Sequence, residues 1–427
     1  MKKTIHIAIL CAASAVLGPG WLPTALAADP TVEALETRVK ELEASIAELR
    51  GELGRLAEQN SSKAAAMKEE RGQISEESAT VARAEAASIA AEWQNATSAF
   101  HLSGYGAASY VDQEGANGEF GGVTFNPILH FQYRNQILWE SELELEIDQD
   151  GATDVTLEYS TIDWLINDHV TLLAGKFLSP LGQFRQNLHP AWINKLPSAP
   201  PGFGHDGAAP AADVGVQLRG GLPLPRAAHL NYAVYVGNGP QLEADGGEIH
   251  GIVSEGFTRN ADDPVVGGRL GFLPMPNLEI GVSGAVGKAT LTTADGVAIE
   301  DGDEPARDYG ALGADLVYRW KDLEGRGELI RQKVDDAPGS LAEEGGTWRA
   351  WYLQLAYRLG SRPWEGIVRY SDFNSPHPEQ RQDQWMIGFE YLIASNAMVK
   401  LGYEFNDGLS QTETDANRWL LQLAYGY

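Results

Sequence analysis

The run Ile137-Leu138-Trp139-Glu140-Ser141-Glu142-Leu143-Glu144-Leu145-Glu146-Ile147-Asp148 alternates between apolar and acidic with two exceptions, Leu138 and Ser141, and no other feature limits the fold so sharply. Successive side chains of a strand point to opposite faces. Ile137, Trp139, Leu143, Leu145 and Ile147 therefore share one face with Ser141, while the acidic residues share the other. One face suits lipid and the other suits water, the pattern of a transmembrane β-barrel strand.

The same period returns along the chain after residue 100. Outward sets are expected at Val155, Leu157 and Tyr159; at Leu230, Tyr232, Val234 and Val236; and at Leu278, Ile280 and Val282. They recur at Leu312, Leu316, Tyr318 and Trp320, and again at Trp351, Leu353, Leu355 and Tyr357. Trp385, Ile387, Phe389 and Tyr391 continue the series, followed by Val399, Leu401, Tyr403 and Phe405, and finally by Trp419, Leu421, Leu423, Tyr425 and Tyr427. With weaker segments near 100–111, 123–133, 169–177, 213–220, 265–273, 323–334 and 363–373, the total is about sixteen strands, and single-chain bacterial barrels have even numbers.

The connections strengthen this reading. Those near 134–136, 164–168, 221–227, 273–277, 320–322, 360–362 and 394–396 are tight, whereas 112–122, 178–212, 238–264, 290–307, 336–346, 374–382 and 407–415 are longer and polar. Short turns on one side and long loops on the other are the asymmetry of an outer-membrane barrel. A soluble β-sandwich also alternates, but it has no need of aromatics near strand ends such as Tyr110, Trp139, Trp164, Trp320, Trp364 and Trp419. The fold class expected is all-β, an antiparallel transmembrane barrel of about sixteen strands preceded by an α-helical coiled coil.

That coiled coil rests on Val32, Leu35, Val39, Leu42, Ile46, Leu49, Leu53 and Leu56, spaced alternately by three and four residues. This is an a/d seam, which a lone helix cannot bury. The seam does not separate dimer from trimer. Upstream, Lys2 and Lys3 precede an apolar stretch and Ala25-Leu26-Ala27, which predicts a secretory signal peptide over 1–27. The expected organisation is then a stalk over 28–60, a helical or flexible connector over 61–99 and a barrel over 100–427. Cys11, the sole cysteine, falls in the signal segment, so no disulfide or cysteine metal site is expected. No later run is apolar and long enough for a membrane-spanning helix, which leaves a closed barrel as the means of spanning. A formal charge of −27 makes nucleic acid an unsuitable partner, since its phosphates demand basic surface.

Leu178–Asp213 breaks the alternation. Loops this long inside a compact region are usually functional or disordered, and Phe184, Leu188, Trp192, Ile193, Leu196 and Phe203 argue against disorder. We expect the segment to fold into the barrel as a constriction presenting Arg185, His189, Trp192, Lys195, His205 and Asp206. The strand phases place Arg219, Arg269, Arg319, Arg358, Arg369 and Lys400 on the inner face, opposite Glu140, Glu142, Glu144 and Glu146. Facing walls of opposite sign would set a transverse field across a narrow channel, although such charges could equally pair and solvate the lumen. His189 and His205 with Asp206 could bind metal or sense pH, but two histidines separated by fifteen residues are a weak signal for either. Ser179, His189 and Asp206 lack the context of a nucleophile elbow. Neither an enzyme nor a cofactor is expected.

Gly175-Lys176-Phe177-Leu178-Ser179-Pro180-Leu181-Gly182, followed by His189-Pro190-Ala191-Trp192-Ile193-Asn194-Lys195-Leu196-Pro197, resembles the phosphate-selective porin O/P family. Tyr235-Val236-Gly237-Asn238-Gly239 fits the same pattern. The resemblance implies a sixteen-stranded trimeric outer-membrane barrel for anionic or small organic solutes, with the third outer loop folded inward and, in some relatives, an N-terminal coiled coil in the periplasm. Phosphate selectivity in the family depends on clustered basic residues, whereas this loop offers only Lys195 and Arg185. Passive diffusion of small hydrophilic solutes is the function expected, with ion preference open. The alternative is an envelope tether, in which the stalk links the barrel to the periplasm.

Overall fold

The computed structural model describes residues 98–427 except 148–150, 205–206, 254–263, 301 and 361, together with Thr37, Lys40, Ala44, Gly51, Gly54 and Arg55, which are helical and exposed. The eight seam residues and the signal segment lie outside the described residues. Contacts divide the chain into Met1–Ser88 and Ile89–Tyr427, and the second unit is the barrel.

Its strands are β1 (Ser98–Gln113), β2 (Glu119–Tyr133), β3 (Ile137–Ile147), β4 (Thr153–Asn167), β5 (Val170–Leu178), β6 (Ala212–Pro223) and β7 (His229–Gly237). A small hairpin, β8 (Gln241–Asp245) and β9 (Glu248–Ile252), precedes β10 (Val265–Met275), β11 (Leu278–Ala294) and the short β12 (Val297–Ala298). The series ends with β13 (Arg307–Trp320), β14 (Leu323–Val334), β15 (Gly346–Arg358), β16 (Trp364–Asn374), β17 (Gln382–Ala394), β18 (Ala397–Gly408) and β19 (Arg418–Gly426).

Sixteen of these, all but β8, β9 and β12, pair antiparallel with their neighbours, and β1 pairs with β19 to close the ring. Gly104 and Tyr427 exchange backbone hydrogen bonds of 3.1 and 2.9 Å at the seam. Closure leaves no open edge, so every ladder group has a partner without water. The chain is thus a closed sixteen-stranded antiparallel β-barrel.

The outer face is apolar, as the alternation predicts. Val155, Leu312, Leu353, Phe389 and Leu423 are among its exposed residues. Aromatic belts lie toward both strand ends. At the short-turn end Phe131 lies between Phe100 and Trp139, at 4.7 and 4.9 Å, and Trp364 meets Tyr391 at 4.6 Å. At the long-loop end Tyr370 lies between Trp351 and Trp385, at 5.3 and 4.9 Å, and Trp419 meets Tyr403 at 4.6 Å. Amphipathic rings favour the two membrane–water interfaces.

Two expectations need correcting. In β4 the partners step from Glu142–Tyr159 to Leu143–Leu157, so Glu158 is an extra residue in a β-bulge. A bulge shifts the alternation by one, and Tyr159 therefore faces inward with Glu142 instead of outward with Leu157. The 238–264 connection, read as loop, contains the β8–β9 hairpin, and β8 runs parallel to the extended end of β11.

Candidate functional site: the barrel interior

The described residues of 179–211, between β5 and β6, fold across the barrel interior. The segment leaves and re-enters the wall at one place, where Ser179 donates its N–H to the Ala211 carbonyl at 3.0 Å. A single π-helical turn, Phe184–Leu188, begins the crossing. Turns at Pro190 and Pro200 then bend the chain, closed by the N–H groups of Ile193 and Phe203. In the second turn Pro201 takes the second position, which suits its preset φ.

The far wall holds the segment by polar and apolar contacts. Arg369 on β16 donates to the carbonyls of Ser198 at 2.9 Å and Ala199 at 3.1 Å. Lys400 on β18 donates to the Ala191 carbonyl, and Lys195 of the segment pairs with Glu365 on β16. Gln332 on β14 reaches the carbonyls of Gly207 and Ala208 at 2.9 and 3.1 Å, and Glu328 accepts the Phe184 N–H at 3.0 Å. Phe184, Phe203 and Tyr352 meet edge to face, with centroids 5.1 to 6.2 Å apart. Aromatic edges favour that arrangement over rings stacked squarely.

The inner wall is recessed where the segment docks. Added β-carbons at Gly388, Gly402 and Gly426 would lie 2.4 Å from Leu196, 3.3 Å from Pro197 and 2.8 Å from Trp192. Three inward glycines on β17, β18 and β19 thus make three notches. Gly182 is constrained twice, by a φ of +85° and by Glu328, whose carboxylate oxygen would stand 1.7 Å from a β-carbon.

The predicted constriction residues divide into distinct environments. Arg185 is buried and pairs with Glu158 at 3.3 Å. His189 shares a 2.5 Å hydrogen bond through Nδ1 with the Arg185 carbonyl and brings Nε2 to 3.9 Å from Glu142. Trp192 fills the Gly426 notch, Lys195 faces Glu365, and His205 and Asp206 lie outside the described residues.

Of the acidic set, Glu142 is buried and accepts the Tyr105 hydroxyl at 2.7 Å, so it does not face open lumen. Glu144 accepts from Asn126 at 3.2 Å, Glu140 lies 3.0 Å from His130, and Glu146 is exposed. Of the basic set, Arg219 pairs with Asp163 at 2.6 Å and Arg319 with Glu324 at 2.7 Å. Arg269 contacts both Asp315 and Glu279, at 2.6 and 2.9 Å, and Arg358 lies 3.5 Å from Glu365. Arg369 and Lys400, 1% and 0% exposed, face inward as their phase predicts but lie beneath the segment and fasten it. Four of the six basic residues thus sit against carboxylates, while Arg369 and Lys400 bond carbonyls of the segment, an arrangement that favours local pairing over a transverse field at those four positions.

Two cavities flank the segment. One, about 630 Å³, is lined by Arg219, Arg269, Arg319 and Arg326 with Gln186 and Asn187 of the segment. The other, about 330 Å³, lies between the segment and β1–β3, where Tyr105, Asn126 and Glu144 face Arg185 and His189. Arg326, paired with Glu324, was missed because its strand is glycine-rich and alternates weakly. Buried Glu158, Asp163 and Asp315 were missed as well; the first two share β4, where the bulge at Glu158 breaks the alternation, and Asp315 lies apart from them on β13.

A closed sixteen-stranded barrel with one connection folded inside defines a porin-like architecture. The chain matches no protein-family model and no curated protein. Among solved structures it is similar to OmpF of Salmonella typhi, in complex with daunomycin, with a TM-score of 0.51 and 12% identity over 77% of this chain and 97% of that one. An anion-selective porin from Comamonas acidovorans gives 0.50 and 13% identity over 77% of this chain and 100% of that one. OmpT of Vibrio cholerae, in its trimer form, gives 0.50 and 11% identity over 78% and 100%. At these identities the likeness is one of fold.

Proposed function

We propose that this chain is an outer-membrane porin through which small hydrophilic solutes diffuse passively, with the 179–211 segment as its constriction. One observation carries the reading. A long connection is anchored to the far wall by Arg369, Lys400 and Gln332, yet leaves charged cavities of about 630 and 330 Å³ beside it. A structural plug has no use for open space lined by arginine, glutamine and glutamate. Polar linings of this kind pass hydrated solutes and set which charges go through.

The apolar outer face between two aromatic belts supports an outer-membrane location. We further propose a homotrimer, on the resemblance of the loop sequence and on a fold neighbour described in a trimer form. The resemblance to phosphate-selective porins supports the architecture but not the solute, because each exposed arginine of the inner wall already faces a carboxylate. Neither nucleophile chemistry nor a cofactor enters this account. In the tether reading the pore is incidental, a view that the charged cavities disfavour.

Planar-bilayer recording with purified full-length protein tests the proposal. Stepwise conductance increments are expected. Bilayers that stay silent when refolding is verified by heat-modifiable mobility would overturn it.

A further inference from the structure

His250 on β9 and His377 with Glu379 in the 375–381 connection meet at the long-loop end of the barrel, far apart in sequence. One ligand atom from each lies within 4.8 Å of the other two. We propose that these three residues form a binding site for a divalent transition metal of the zinc class, and that the ion fastens the β8–β9 hairpin to the 375–381 segment.

His377 is prepared for this role. Its Nε2 lies 2.5 Å from the Ile249 carbonyl, and a carbonyl oxygen can only accept, so Nε2 carries the proton. In the neutral ring Nδ1 is then a lone pair. That lone pair faces the Glu379 carboxylate at 3.9 Å, an arrangement that repels unless a proton or a metal ion stands between them. Metal-binding histidines characteristically donate their second N–H to a carbonyl or carboxylate, which fixes the tautomer and aims the free nitrogen. The bond from His377 to Ile249 does this, and it ties the ligand to the hairpin that carries His250.

The His250 ring lies beside the His377 ring, centroids 5.1 Å apart. Bonds of about 2.0–2.2 Å to a tetrahedral zinc put ligand atoms roughly 3.3–3.6 Å apart. His250 and Glu379 are exposed side chains and can close the remaining distance, while His377 is buried and held. Gln380 supports the same junction, donating to the His250 carbonyl at 3.4 Å. Arg381, the basic residue of the segment, donates to the carbonyls of Ser375 and Pro376. Two imidazoles and one carboxylate suit zinc, nickel or copper(II), whereas calcium and magnesium prefer oxygen ligands alone. Three protein ligands also leave a position for water.

The test uses untagged full-length protein in detergent, stripped with a chelator and titrated with zinc by calorimetry and with cobalt(II) by visible absorption. One ion per chain is expected, with affinity reduced roughly tenfold or more in His250→Ala and in His377→Ala. His130→Ala, at the opposite end of the barrel, should bind as the wild type does. Zinc should also protect the 238–264 connection from protease in the wild type and not in His250→Ala. His250 is exposed, so that variant is expected to fold normally. An absence of zinc binding, or binding that survives both loop histidine variants, would overturn the proposal.

Discussion

Leu196 of the inward segment sits directly over Gly388 of β17, where any β-carbon would come within 2.4 Å of its Cδ2 atom. Gly388 has no positive φ to explain its choice, so the glycine serves space: a β-carbon there would displace the packed Leu196 side chain, itself 1% exposed. Gly388→Val should push Leu196 out of its notch, at a cost of about 1–3 kcal/mol for overpacking. The expected outcome is a segment newly open to protease and a larger, noisier conductance, with the barrel still heat-modifiable. Unchanged cleavage and conductance would mean that the segment does not rest on β17.

Arg369 offers a polar counterpart. Its guanidinium, 1% exposed, holds the Ser198 and Ala199 carbonyls and also reaches Gln384 at 3.1 Å. Arg369→Met keeps much of the volume but orphans these acceptors, at roughly 1–3 kcal/mol for each one left buried without a partner. We expect protease sensitivity between Ala191 and Ala199, together with a shifted or fluctuating conductance. Lys400→Met should act in the same direction by releasing the Ala191 carbonyl. Cleavage patterns identical to wild type in both variants would refute the anchoring role.

Charge selectivity should separate exposed from covered cations. The side chains of Arg219, Arg319 and Arg358 are 43, 59 and 48% exposed, and each faces a carboxylate. Replacing these arginines by Gln leaves Asp163, Glu324 and Glu365 less compensated, so the reversal potential in a salt gradient should move toward cations. The shift should be greatest at low salt, since screening reaches within about 10 Å at 0.1 M. A triple variant with unchanged reversal potential would remove these arginines from the conducting path.

The same residues show what sequence could and could not convey. Inward phase was legible for Arg219, Arg269, Arg319, Arg358, Arg369 and Lys400, because alternation fixes which face a strand residue takes. Whether such a residue meets water depends on what lies above it, and the segment covering Arg369 and Lys400 comes from the opposite wall. Tyr159 was misassigned because nothing local to Glu158 marks a bulge. The long 179–211 connection announced itself through apolar content without alternation, but the glycine notches that receive it look like ordinary barrel glycines. His250 and His377 were invisible as a pair, since only closure of the barrel brings their loops together.

The last prediction concerns the chain before the barrel. The described ring closes between β1 and β19, with Gly104 bonded to Tyr427, and every strand pair involves residues from Ser98 onward. A variant lacking residues 30–97 but keeping the signal segment should therefore insert and conduct as the full chain does. If the heptad seam of Val32 to Leu56 assembles the oligomer, the variant should run as monomers in mild detergent. If it acts as a tether, the oligomer should persist while cells become sensitive to detergents and large antibiotics. Loss of conductance in correctly inserted protein would contradict both roles, because it would make the seam part of the channel itself.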